Sequence, residues 1–290
     1  MSDRPVLLGV FAHPDDESFG PGATLARYVA EGVDVHIVIA TDGVAGSVDS
    51  EDRLTGHDNL AQVREKELDQ AVAILGATLH RLPHRDSGMQ GSPDNDHPNA
   101  LIQQPVAGLT QEVTALIRRL RPQVILTHDQ FGGYGHPDHI MCCTVTTAAF
   151  AAAGDPAYIL PGEEGNLALF QPQKLYYTTF GKGFLKWTVR ILRLVRKDPT
   201  KFGRNQDINL AEIATWDTPV HARIRVAGYL AIKERASEAH ASQYSGGPSF
   251  MRAIPGFLRK RIMGWESFTR VFPAPGREIE SDLFAGVLLK

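Results

Sequence analysis

Ala12-His13-Pro14-Asp15-Asp16-Glu17 sets an imidazole and adjacent carboxylates just behind an apolar run, Val6 to Phe11. The run reads as a buried strand and Ser18 to Glu31 as a helix, so these groups sit at a strand-to-helix corner. Pro14 keeps His13 extended and suits the first position of a helix. The carboxylates then fall in a first turn whose dipole favours negative charge. A neutral imidazole and a carboxylate at this spacing, His13 and Asp16, can grip one divalent cation. Gly133-Tyr134-Gly135-His136-Pro137-Asp138-His139 repeats the pattern after a second apolar run, Val124 to Thr127. It leads into a helix expected over Asp138 to Ala152. The two corners read as halves of one metal site.

Two histidines and one carboxylate, His13, Asp16 and His139, leave positions open on the ion, as a catalytic metal requires. Zn2+ lowers the pKa of bound water to about 7. Fe2+ suits the same ligand set. His136 can ligate in place of His139, and the spacing does not choose between them. Asp15 should point away from Asp16 and is the candidate general base, with a helix N-cap as its plainer role. Tyr134, set between glycines, and His136 are the candidates to stabilise an oxyanion. A protonated His136 would supply positive charge, which Asp138 would maintain. Glu17 is expected to bond backbone or a loop.

The elements that must position these groups alternate. Strands are expected over Pro5–Ala12, Asp34–Thr41, Thr78–Leu82 and Gln123–Thr127, and helices over Ser18–Glu31, Leu60–Leu75 and Pro105–Leu120. Gly46–Asn59 and Gly91–Asn99 are polar and glycine- or proline-bearing, hence loops. This regularity predicts an α/β fold, a mostly parallel sheet with helices on both sides. Such sheets bind ligands beyond the carboxyl ends of their strands, where both His-Pro corners, Asp42 and Asp86 all fall. Residues 1–180 are expected to form the catalytic core, with a strand over Lys174–Phe180. Residues 181–290 are expected to form a smaller helical and irregular C-terminal cap, including a helix over Val226–Ala241.

The chain has 290 residues, enough for a sizeable core, and its 30 basic and 33 acidic residues nearly balance. That balance lacks the basic footprint of a nucleic-acid partner. Cys142 and Cys143 are the only cysteines, and adjacent thiols rarely bridge, so a reducing compartment without structural disulfides is expected. The first apolar run breaks at His13, unlike a secretory signal, and no run approaches the ~20 residues of a membrane span. A cytoplasmic protein follows as the expectation. Phe184–Lys197 reads as a basic amphipathic helix with Phe184, Trp187, Ile191, Leu194 and Val195 on its apolar side. Its plain role is packing beside the site, and peripheral membrane contact is the alternative. A homo-oligomer is compatible with all of this.

The pair AHPDDE and GGYGHPDHI resembles the PIG-L/LmbE-like metal-dependent deacetylases, whose relatives include GlcNAc-inositol deacetylases and mycothiol conjugate amidases. The resemblance spans Val6 to Ala152 and, more weakly, Glu238–Gln243 and Trp265–Phe268. It implies a Rossmann-like fold and zinc-dependent removal of an N-acetyl group from a small glucosamine-type sugar. It also implies His13, Asp16 and His139 as zinc ligands, Asp15 as base, and His136 and Tyr134 on the oxyanion side. Arg64 and Asp86 match the family's sugar-hydroxyl contacts. An amidase of a thiol conjugate or of another N-acyl substrate is the alternative within the family, and a non-catalytic sugar-binding protein the more distant one. A nucleotide-binding Rossmann enzyme is disfavoured because AHPDDE stands where G-x-G-x-x-G would be. An Fe(II) oxygenase is disfavoured by the strand–helix alternation, and a serine hydrolase by the lack of G-x-S-x-G.

Overall fold

The computed structural model describes residues 4–46, 59–179, 182–202, 208–244, 261 and 263–289. Among the described residues seven strands form one sheet: β1 (Val6–Phe11), β2 (Asp34–Thr41), β3 (Thr78–His84), β4 (Val124–Thr127), β5 (Lys174–Thr179), β6 (Ala222–Arg225) and β7 (Trp265–Phe272). Their order is β3-β2-β1-β4-β5-β7-β6. The first five run parallel, and β7 and β6 close the far edge antiparallel. The expected α/β architecture, a mostly parallel sheet between helices, is the one observed.

The helices are α1 (Asp16–Phe19), α2 (Gly22–Ala30), α3 (Leu60–Leu75), α4 (Val106–Leu120), the one-turn α5 (Gly132–Gly135), α6 (Pro137–Ala152), α7 (Lys182–Leu194), α8 (Leu210–Ile213) and α9 (Leu230–Ala239). The period of two along β1 sorts its side chains between the layers. Leu7 and Phe11 join Leu25, Leu68 and Val72 of α2 and α3 and Ala236 of α9 in one core cluster. Leu8, Val10 and Ala12 join Leu109, Val113 and Ile117 of α4 and Val145 and Ala149 of α6 in the other. Burying a leucine of this kind contributes about 1.5–3 kcal/mol. The two clusters therefore clamp β1, the strand that delivers His13, from both faces.

Several local expectations are corrected. The single helix over Ser18–Glu31 is two helices, α1 and α2, parted at Gly20-Pro21. Pro21 has no N–H to continue the ladder and its ring disfavours a helical residue before it. Pro14 is not the first helical residue; Asp15 is the N-cap, at φ 129°, and the helix begins at Asp16. β3 runs on through Pro83 to His84, which an edge strand tolerates. The C-terminal stretch is less irregular than expected, because Trp265–Phe272 is a strand that pairs with β5 and β6. In α7 Val189 is buried and Leu185, Leu192 and the expected Ile191 are half-buried, while Trp187, Leu194 and, just past the helix, Val195 of the expected apolar side are exposed. The side chain of Phe184 and residues 47–58 of the expected loop lie outside the described residues. No helix among the described residues is long and apolar enough to cross a membrane.

Candidate metal centre and its cavity

β1 and β4 are neighbours in parallel register, Leu7 opposite Val124 and Val10 opposite Thr127. Both corners therefore leave the same edge side by side. His13 follows β1, and His136 caps α6, where its Nδ1 accepts from the Asp138 N–H at 3.2 Å. His139 lies in the first turn of α6. His13 Nδ1 and His139 Nε2 are 3.1 Å apart. The Asp16 carboxylate is 3.3 Å from His139 Nε2 and 3.5 Å from His13 Nδ1. Asp16 is fixed there by the His13 N–H, which donates to Oδ2 at 2.8 Å.

These separations suit a divalent cation. Four tetrahedral donors at ~2.0–2.1 Å from an ion stand about 3.3 Å apart. The set is mixed nitrogen and oxygen, as Zn2+ and Fe2+ accept. Behind it, His13 Nε2 lies 3.2 Å from Asp138 Oδ2, the carboxylate-backed imidazole common in metal sites. Asp138 Oδ1 and His139 Nδ1 are buried without a hydrogen-bond partner among the described residues. The residues present thus fit a metal ion.

His128 was not singled out in the sequence and belongs to the cluster. Its ring stacks on His139, with centroids 3.8 Å apart, and its Nε2 lies 3.4 Å from Asp16 Oδ2. The same nitrogen accepts from the Ala12 N–H at 3.1 Å. Among the described residues three groups of donors each lie within 4.8 Å of one another: Asp16, His128 and His139; His13, His136 and His139; and His13, Asp86, His136 and Asp138. The only signal in the sequence was its place, directly after β4 at the carboxyl end of the sheet.

Electrostatics divide the carboxylates. Burial pushes the Asp15 carboxyl up to about 6, against the pull of the Arg64 guanidinium. Asp16 is held well below the usual carboxylate range, because His139 and His128 override the effect of its burial. Asp86 is likewise lowered; burial opposes this, and His13, 3.4 Å away, prevails. Tyr134 is pushed up, mainly by burial, and stays a hydrogen-bond donor.

His136 departs from expectation. Burial, then the neighbouring His13 and His139, hold it well below the ordinary imidazole value, so it is neutral. The Asp138 carboxylate contacts His13 and the Ser87 N–H instead of charging His136. With Nδ1 accepting from Asp138 N–H, the His136 proton sits on Nε2.

Arg64 donates to Gly43 O at 2.8 Å, to Pro14 O, and to Asp15 Oδ2 at 2.9 Å. Its guanidinium thus braces the Asp15 corner as well as lining the cavity. That cavity, about 460 Å³, has His13, Asp15, Arg64, Asp86, Tyr134 and His136 in its wall. Met89, Ile208 and Gln243 contribute from loops and from the C-terminal part. Of the site residues read from the sequence, six line the cavity, and Asp16, Asp138 and His139 lie outside its lining in contact with His13. Tyr134 is held over it by a strained loop in which Gly133 adopts φ 67°, ψ −62°. Asp129 accepts from the N–H groups of Phe131 and Gly133 and so shapes the same loop.

Residues 8–150 match the family described as GlcNAc-PI de-N-acetylase, PIG-L. A 1D-myo-inositol 2-acetamido-2-deoxy-alpha-D-glucopyranoside deacetylase from Thermobifida fusca is 39% identical, over 98% of this chain and 100% of its own length. Among solved structures, an N,N'-diacetylchitobiose deacetylase from Pyrococcus horikoshii superposes with a TM-score of 0.61 at 20% identity, covering 93% of this chain and 84% of that one. A 4-carboxy-2-hydroxymuconate hydratase from Pseudomonas putida superposes as well, with a TM-score of 0.60 at 17% identity, over 94% and 99%. These structural likenesses carry the fold and not the reaction. The sequence match extends past Ala152 through the C-terminal strands, and with it this chain belongs to the PIG-L family of deacetylases.

Proposed function

We propose that the chain hydrolyses the N-acetyl amide of a small glucosamine-type sugar, with GlcNAc-inositol as its preferred class of substrate, and that zinc is its metal. One observation carries this reading. Three mixed donors separated by 3.1–3.5 Å cluster at the wall of a 460 Å³ cavity, which one of them, His13, lines together with Asp15, a carboxylate outside the set. The relatives named for inositol-linked substrates along the whole chain support the substrate class.

In this reading His13, Asp16 and His139 hold the metal, which supplies Lewis-acid polarisation of the amide carbonyl and acidifies water. Asp15 takes a proton from the attacking water and returns it to the departing amine. Arg64 orients the Asp15 carboxylate through the 2.9 Å contact. The Tyr134 hydroxyl and the His136 Nε2–H are donors to the oxyanion that develops on the carbonyl oxygen. Asp138 keeps the His13 ring turned toward the site. Asp86 and Arg64, both buried in the cavity wall, face the sugar hydroxyls.

The test is a release assay for free amine and acetate with GlcNAc-inositol, GlcNAc-malate, GlcNAc, diacetylchitobiose and a thiol S-conjugate. Equal amounts of amine and acetate from GlcNAc-inositol, lost with chelator and restored by Zn2+, are expected. Turnover of the S-conjugate alone, or of none of the five, would overturn the assignment.

A further inference from the structure

Asp15 is one of three non-glycine residues at positive φ among the described residues, and its φ of 129° is far from what an L side chain favours. Something must hold it there. The holder is Glu17. Its Oε2 accepts from the Asp15 N–H at 3.0 Å, and its Oε1 accepts from Ser18 Oγ at 2.6 Å. Glu17 is fully buried.

A second contact fixes Glu17 itself. His240 Nε2 lies 2.7 Å from Glu17 Oε1, and both side chains are wholly shielded from solvent. His240 caps the C-terminal end of α9, which packs on α1, α2 and α3. The Phe19 ring rests edge-on against it, with centroids 6.0 Å apart. A residue 223 positions downstream thus reaches under the first corner.

We infer that Glu17 and His240 are a positioning pair, which holds the Asp15 backbone in its strained conformation and so aims the Asp15 carboxylate. Arg64 grips that carboxylate from the opposite side. Neither Glu17 nor His240 is in the cavity wall, so neither touches substrate. The inference rests on the proposed role of Asp15 as base.

The experiment compares Glu17→Ala, Glu17→Gln, His240→Ala and Asp15→Asn, each purified with metal. For every variant kcat, KM, bound metal and thermal midpoint are measured. A ~1 Å misplacement of a catalytic group costs about a hundredfold. Glu17→Ala is therefore expected to lose about that much kcat, with KM and metal content held. His240→Ala is expected to lose part of it. Glu17→Gln is expected to recover most of the activity, because its carbonyl still accepts from Asp15 N–H while its amide still meets His240.

Near-native kcat in Glu17→Ala would overturn the inference. So would a joint fall of kcat, metal content and substrate binding, which marks a general collapse of the site. If Glu17→Ala does not fold, His240→Ala decides: native kcat there overturns the inference, and a selective kcat loss supports it. Asp15→Asn separates the two claims. An active Asp15→Asn sinks the base assignment itself, whereas an inactive Asp15→Asn beside an active Glu17→Ala sinks only the positioning pair.

Discussion

His13 Nδ1 and His139 Nε2 stand 3.1 Å apart although 126 residues separate them in the chain. Each is the histidine of its own His-Pro-acid corner or the residue just beyond it, and the adjacency of β1 and β4 alone makes them meet. A pair this close, flanked by the Asp16 carboxylate, is the centre on which the following expectations turn.

Asp15→Asn should keep its metal and lose about 10²- to 10⁴-fold in kcat, the usual worth of a general base. Asparagine keeps the shape of the side chain and its contact with Arg64, but cannot take a proton. Metal analysis and steady-state kinetics on one preparation check this. Full turnover with a full metal complement would reject Asp15 as the base.

His128→Ala should weaken metal binding by about 10–100-fold, the size of effect typical of groups that orient ligands. The variant removes the ring that stacks on His139 and frees the Ala12 N–H. Competition with a chromogenic chelator gives the affinity directly. An unchanged affinity would reduce His128 to a packing residue.

Gly43→Ala and Gly32→Ala form a matched pair. Both glycines have positive φ, 66° and 87°. A Cβ at Gly32 meets nothing within 4 Å, whereas one at Gly43 would lie 2.6–2.8 Å from the Arg64 guanidinium. Each should lose about 1–2 kcal/mol of stability from the backbone alone. Only Gly43→Ala should also lose kcat, by pushing Arg64 off Asp15. Equal kinetics in the two variants would show that Arg64 does not govern the base.

Glu280 joins the last segment to the sheet. It accepts from Lys174 Nζ at 2.7 Å, Tyr176 Oη at 2.6 Å and Arg270 Nη1 at 2.6 Å. Burial opposes its charge, yet the contacts with Lys174 and Tyr176 bring its pKa below the ordinary 4.5. A carboxylate lowered in the folded state stabilises fully above its unfolded pKa, and loses that contribution as pH falls through the folded one. Glu280→Gln should cost about 1 kcal/mol at neutral pH, below the usual worth of a charged hydrogen bond because water screens the partly exposed group. The gap from wild type should stay constant above about pH 5 and shrink below about pH 4.5. Urea midpoints across that range measure it, and a gap that widens in acid would contradict the assignment.

The parallel half of the sheet was legible because its signals are local. β1, β2 and β4 are short, largely apolar runs, and both corners carry their chemistry within a few residues of a strand end. His128 was illegible for the opposite reason: a lone histidine in no repeated pattern gains meaning only when β4 is laid against β1. The antiparallel edge escaped as well. β6 alternates buried and exposed for only four residues, and in β7 Phe268 alone is fully buried. Neither pattern declares a strand until β5 offers a partner. The break at Gly20-Pro21 was visible as residues, but its consequence, a one-turn α1 whose Glu17 is buried against His240, depended on the end of α9 arriving there.

The pairing of Leu7 with Val124 and Val10 with Thr127 works as a ruler for the whole centre. A shift of one rung would carry one corner about 3.3 Å past the other and turn its side chains to the opposite face. The gauge of the site is thus written in main-chain hydrogen bonds, which ordinary side-chain substitution leaves alone. Met89 and Ile208 line the cavity from outside the seven strands, so the anchorage does not run through them. One inserted residue inside β1 should do more harm than several placed in the loop between Gly91 and Asn99.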